Sequence, residues 1–335
     1  MKRETGPDLI RCLALLFVNG IHCFLKNGFY GEPQTGAYIW AADCFRWLFF
    51  SCNGLFLLLT GYLKSTKPFD KGYYRGLIPI LTGYTLTCCI TYPIRHFLLG
   101  ESLPAGDWLH NFFSFSNYAW YLEMYVGLIL LSPAINSCLE KIESPRGLIL
   151  AAGIMLFLTA APSLTPLPIA PDYWTALYPV TYYVLGAVIR RVQPKLKFHH
   201  GIFLIVLTVM GMALASVLST DEPFSKGFVQ GNGGPWNTLV AVLVFLTLYR
   251  VQLSGKMGKV FAWLAGGCLE GYLISLVLDR SLYAMVPQWH SPEHYGKLFL
   301  FVTVPIFAIS ILSGKAVHTF AGRISNGIFR NRVSV

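Results

Sequence analysis

Ten stretches of mostly apolar residues, separated by short polar segments, organise this 335-residue chain. On a template of about 20 apolar residues per bilayer crossing, they fall near 8–26, 38–63, 73–94, 118–138, 147–163, 173–190, 201–218, 236–250, 258–285 and 297–318. The expected fold is all-α, a polytopic membrane helical bundle of about ten transmembrane helices. It forms one domain over 1–335, with a basic cytoplasmic tail at 319–335. Span 236–250 is short, whereas 258–285 is long enough to bend or to leave the bilayer at its far end. The longest polar connections, 95–117, 219–235 and 286–296, leave no room for a soluble catalytic domain, so any chemistry is expected inside the bundle.

Polar residues interrupt the first span in a pattern. Asp8, Arg11, Asn19 and His22 lie within DLIRCLALLFVNGIHCFL. At about 100° per residue they fall within an arc of about 80°, so all four can face one cavity. Arg11 and His22 are separated by about 16 Å of helix rise, so the stripe crosses most of the membrane. Ionisable groups inside a span are costly and normally face a polar pathway or a partner. Asp8 and Arg11, three residues apart, could also pair with each other.

Composition supports the membrane reading: mean hydropathy is +0.53, and only 13% of residues are charged. The net charge of +10 does not indicate nucleic acid, because the basic residues sit in short connections between apolar runs. Taking loops alternately from an inside N-terminus places 19 of the 26 Lys and Arg on the cytoplasmic side and 5 on the other. That asymmetry predicts that both termini are cytoplasmic. Arg11 then lies near the cytoplasmic face and His22 near the external one. The first span has no small-residue cleavage site and reads as a retained helix in a bacterial cytoplasmic membrane. The eight cysteines lie mostly in apolar segments and show no metal-type spacing with His, so they read as small buried hydrophobes and no metal is expected.

Several motifs, in order, resemble one family. Arg11, ten residues and then His22 are similar to the first-helix signature of the family-3 membrane acyltransferases, which include bacterial O-acetyltransferases of surface polysaccharides. FFSCNGLFLLLTGYL (49–63) resembles the family's second helix. In KGYYRGLIPILTGY, Lys71, Arg75 and Pro79 stand where the family has its basic pair and proline. AWYLEMYVGLILLSPAIN (119–136) and LEGYLISLVLD (269–279) resemble later family segments. Many members have His after the late Tyr-Leu-Ile, where this chain has Ser275. Ser275 with nearby Asp279 is similar to a branch that includes the membrane domains of vancomycin-resistance serine racemases, which brings a transport alternative with it.

The resemblance implies transfer of an acetyl or short acyl group from acetyl-CoA to a hydroxyl of an extracytoplasmic or lipid-linked glycan. Such a reaction needs a base, and histidine is the side-chain type whose ordinary pKa suits that task near neutral pH, which makes His22 the candidate. A carboxylate would orient it, with Glu123 the first candidate and Glu270 the second. Arg11 would meet an anionic ligand or the oxyanion. Lys71, Arg75 and Tyr74, with Lys64 and Lys67 nearby, suit coenzyme A phosphates, although positive-inside topology also explains the lysines. Trp120, Tyr121 and Tyr125 would line a sugar site or form an interfacial aromatic belt. Asn19 would orient His22 or simply pack, Ser275 is a further candidate for the substrate site, and Asp43 with Arg46 reads as structural. Beside the acyl-CoA, the glycan acceptor and membrane lipid are the expected partners. The rival reading is a small-solute transporter that uses the same polar stripe.

Overall fold

A computed structural model of the chain describes residues 4–70, 72–102, 104, 106, 109, 119–163, 170–219 and 231–330. Its architecture is all-helical. Among the described residues, eight helical stretches are long and apolar enough to cross a membrane: Thr5–Lys26, Ala37–Lys64, Tyr73–Leu98, Trp120–Glu140, Pro145–Ser163, Phe198–Leu218, Gly255–Ala284 and Pro292–Gly327. The protein is an integral membrane protein. Two shorter helices, Tyr178–Val192 and Pro235–Leu248, correspond to the remaining expected spans.

Several of the long stretches are interrupted, among them Pro292–Gly327, which passes through a π turn at Phe299–Thr303. Ala37–Lys64 consists of α2 (Ala37–Phe50) and α3 (Cys52–Lys64), which meet at Ser51. The buried Ser51 hydroxyl donates to the Leu48 carbonyl at 2.6 Å, a local bond that competes with the helix ladder and bends it. In the third stretch, α4 (Leu77–Pro93) ends at a proline and passes into a π turn at Ile94–Leu98. Gly255–Ala284 consists of α10 (Gly255–Leu264) and α11 (Cys268–Ala284), with a 3-10 turn at Ala265–Gly267 between them. The bend expected in this long span lies near its first third.

The helices are held by close backbone approach. Helix α3 crosses α7 (Tyr178–Val192) where a Cβ on Gly61 would stand 2.0 Å from the Tyr183 carbonyl oxygen, and one on Gly186 would stand 2.0 Å from that of Leu58. Only glycine permits this contact, and small residues at such crossings are what bring membrane helices together, because burying apolar side chains against lipid tails yields little.

Helix α1 (Thr5–Lys26) packs along Gly255–Ala284 in the same direction. Thr5 Oγ1 bonds the Val251 carbonyl at 3.1 Å, Cys12 Sγ approaches the Phe261 carbonyl at 3.9 Å, and His22 reaches Asp279 at the far end. At the near end, Arg190 donates to Glu4 at 2.8 Å and to the Tyr62 hydroxyl at 2.8 Å, fastening α1 to α3 and α7. Helix α12 (Val304–Arg330) runs antiparallel against α11. It continues through residues 319–330, so the segment expected as a tail extends the last helix.

Candidate functional site

The two ends of α1 present different chemistry. At the His22 end, His22 Nδ1 lies 2.6 Å from Asp279 Oδ2 of α11. Asp279 is fully buried, whereas the His22 side chain is 15% exposed. An ionised carboxylate only accepts, so Nδ1 carries the proton and donates it. That leaves Nε2 with its lone pair, and no hydrogen bond is made to it among the described residues. Among the described residues, Asp279 Oδ1 is buried without a hydrogen-bond partner, and the imidazole is the one donor to the carboxylate.

At the other end, a cavity of about 310 Å³ opens between α1, α3, α4, α5 (Trp120–Glu140), α11 and α12. Its walls are largely apolar and aromatic, including Phe56, Tyr121, Tyr125 and Tyr272. Arg11, Lys64, Glu270 and His318 supply its charged and titratable groups, and Asn53 and Thr60 add polar side chains. Arg11 makes no hydrogen bond or ion pair among the described residues, and none joins it to the buried Asp8. Ionisable groups inside a membrane bundle normally face a polar pathway or a partner, and Arg11 faces this cavity. The lining reaches Val18, one helical turn before His22. Arg11, Val18 and His22 lie within about 40° on α1, so the cavity and the histidine share one face of the helix.

The expected site residues divide into two groups. Arg11, Tyr121, Tyr125 and Glu270 line the cavity. Glu123 does not meet His22: it is exposed on the first turn of α5, and the carboxylate that reaches the imidazole is Asp279. The registry of α1 against α11 decides this, because α5 packs chiefly on other neighbours. Glu270 does not orient His22 either, since its Oε1 accepts from His318 Nδ1 at 3.0 Å. Ser275 is buried, and its hydroxyl is spent on the Tyr272 carbonyl at 2.8 Å within its own helix.

Asn19 is fully buried, and neither amide atom has a hydrogen-bond partner among the described residues. Trp120 is exposed, as a residue of an interfacial belt would be. Arg75 is exposed on the 3-10 turn Tyr73–Gly76, and Tyr74 bonds the Leu130 carbonyl at 3.2 Å, so neither lines the cavity. Lys71 lies outside the described residues. The basic group from this segment that does face the cavity is Lys64, at the end of α3. Sequence reasoning missed His318. Its signal was an imidazole at the end of the last expected span, three residues after Lys315.

The acyltransferase domain of the acyltransferase 3 family matches residues 4–315. The chain belongs to that family. No curated protein and no solved structure matches it. As a member of the acyltransferase 3 family it requires an acyl donor and an acceptor. The match takes in the Arg11 stripe, the cavity helices and Asp279, and it ends three residues before His318.

Proposed function

We propose that this membrane acyltransferase moves an acetyl, or another short acyl group, from acetyl-CoA to a hydroxyl of an extracytoplasmic or lipid-linked glycan. The observation that carries the reading is the single face of α1 that joins Arg11, without a hydrogen bond or ion pair among the described residues, to the cavity and a His–Asp pair. The thioester arm enters past Arg11 and Lys64, which meet the negative charge of the donor, and extends along the cavity toward His22. The acceptor approaches from the His22 end. Nε2 of His22 takes the hydroxyl proton as the oxygen attacks the thioester carbonyl carbon. Asp279 stabilises the imidazolium that forms. Collapse of the tetrahedral intermediate breaks the C–S bond, and the leaving thiolate takes the proton back from Nε2. No net proton is produced.

Orientation is read from the basic residues. Lys64, Arg190, Arg250 and Lys315 gather toward the Arg11 end, and the 19 to 5 asymmetry along the chain supports a cytoplasmic location for that end. Donor and acceptor therefore meet from opposite sides of the membrane, and both termini are cytoplasmic. The family match favours group transfer over solute transport.

The test is binding and thiol release with acetyl-CoA on the purified chain in lipid nanodiscs. Arg11→Gln is expected to weaken binding about 10- to 100-fold, the value of a charge-assisted contact. His22→Ala is expected to bind acetyl-CoA like the wild type and to release no thiol in the presence of a glycan acceptor. Turnover by His22→Ala would remove His22 from the mechanism.

A further inference from the structure

Helix α11 carries a second His–carboxylate pair, and the proposed reaction has no step for it. Glu270 is 2% exposed and lines the cavity, yet only one of its oxygens is satisfied. Oε1 accepts from His318 Nδ1, while Oε2 is buried with no hydrogen-bond partner among the described residues. In a bundle surrounded by lipid, such an oxygen costs free energy until a donor reaches it. The carboxylate is held in place from two sides. His318 anchors it from α12, and Gly83 of α4 supports it, since a Cβ there would stand 2.6 Å from Glu270 Oε1. Fixing one oxygen and packing the carboxylate against a helix backbone orients the other.

The location narrows what Oε2 can receive. Glu270 is nine residues before Asp279 on the same helix, about 13 Å of rise, so it lies far from the reacting carbonyl. Arg11 and Lys64 supply the cavity's positive charge for an anionic group, and a carboxylate cannot add to that role. It can accept from N–H or O–H. A thioester donor of the coenzyme A type has such groups along its arm: one amide beside the sulfur, a second further away and then a hydroxyl.

We propose that Glu270 binds the arm of the acyl donor, its Oε2 accepting a hydrogen bond from the distal amide N–H or the hydroxyl, with His318 as the residue that positions it. This inference rests on the acyl-CoA reading above. It makes the cavity selective for the arm itself, and not only for the negative charge of the nucleotide end. The family match ends before His318, so this half of the pair lies outside the matched segment.

Three acetyl thioesters test it on the full chain in nanodiscs: acetyl-CoA, S-acetylpantetheine, and S-acetyl-N-acetylcysteamine, which lacks the distal amide and the hydroxyl. Glu270→Gln is expected to raise KM about tenfold for the first two, with kcat within about twofold, and to leave the truncated donor unaffected. His318→Gln is expected to show the same pattern at smaller amplitude, because the carboxylate remains but is no longer held. An equal loss on all three thioesters, or a fall in kcat at constant KM, would assign Glu270 to the fold or to the reacting atoms and overturn the proposal. Gly83→Ala, which displaces the carboxylate without removing it, should reproduce the selective rise in KM; a uniform loss there counts against the proposal in the same way. A wild-type protein that neither binds nor turns over any of the three overturns the acyl-donor reading, and this inference with it.

Discussion

Asp279→Asn is the sharpest probe of the His22 end. The substitution keeps the shape of the side chain and an oxygen able to accept from His22 Nδ1, but it removes the negative charge 2.6 Å from that nitrogen. For unit charges at this separation and an effective dielectric of about 20, the attraction is about 6 kcal/mol. The imidazolium charge is spread over the ring and the neutral hydrogen bond survives, so about 3–4 kcal/mol of transition-state stabilisation should be lost. At 1.36 kcal/mol per tenfold, that is a fall in kcat of about 10²- to 10³-fold. Binding of acetyl-CoA should be unchanged, because Asp279 is not part of the cavity wall. The assay is thiol release from acetyl-CoA with a glycan acceptor, with Kd measured in parallel by calorimetry. Glu123→Gln serves as the comparison and should retain wild-type kcat, since Glu123 is exposed and apart from His22. Wild-type kcat in Asp279→Asn, or a larger loss in Glu123→Gln, would refute the assignment of the orienting carboxylate.

Other consequences can be checked without an acceptor. Gly186→Ala should destabilise the protein by about 1–3 kcal/mol or more, read as a lower unfolding temperature in detergent, because the new Cβ meets the Leu58 carbonyl at 2.0 Å. Gly127→Ala on α5, where a Cβ meets nothing within 4 Å, should be neutral or slightly stabilising. Glu101 joins Arg95, at 2.7 Å, to Arg280 near the His22 end of the bundle. Burial tends to raise the Glu101 carboxyl, but hydrogen bonds from Arg95 and Arg280 outweigh it and hold the carboxyl below its ordinary value. A depressed folded-state pKa stabilises above the unfolded value and is lost as pH falls through the folded one. The difference in unfolding temperature between the wild type and Glu101→Gln should therefore be full at pH 6–7, about two units above an ordinary carboxylate pKa, and shrink on acidification. A difference that grows toward acid would contradict this arrangement.

Much of the architecture is local and could be read from the residues alone. A bilayer crossing needs about 20 apolar residues whatever they pack against, so the eight long stretches and the two shorter helices fall close to their expected places. The stripe on α1 was legible for the same kind of reason: helical periodicity places Arg11 and His22 on one face before any neighbour is known. What the residues could not show was which groups from distant segments meet that face. Asp279 reaches His22 across 257 positions, and His318 reaches Glu270 across 48. Both pairings depend on the registry of α11 against α1 and α12, which is set by the bend at Ala265–Gly267 and by close helix contacts rather than by any local pattern. Glu123 was as plausible a partner by composition and depth, and only packing turned it away from His22. In a membrane the apolar surface says where the helices are; which polar groups face each other is decided by how closely the backbones approach.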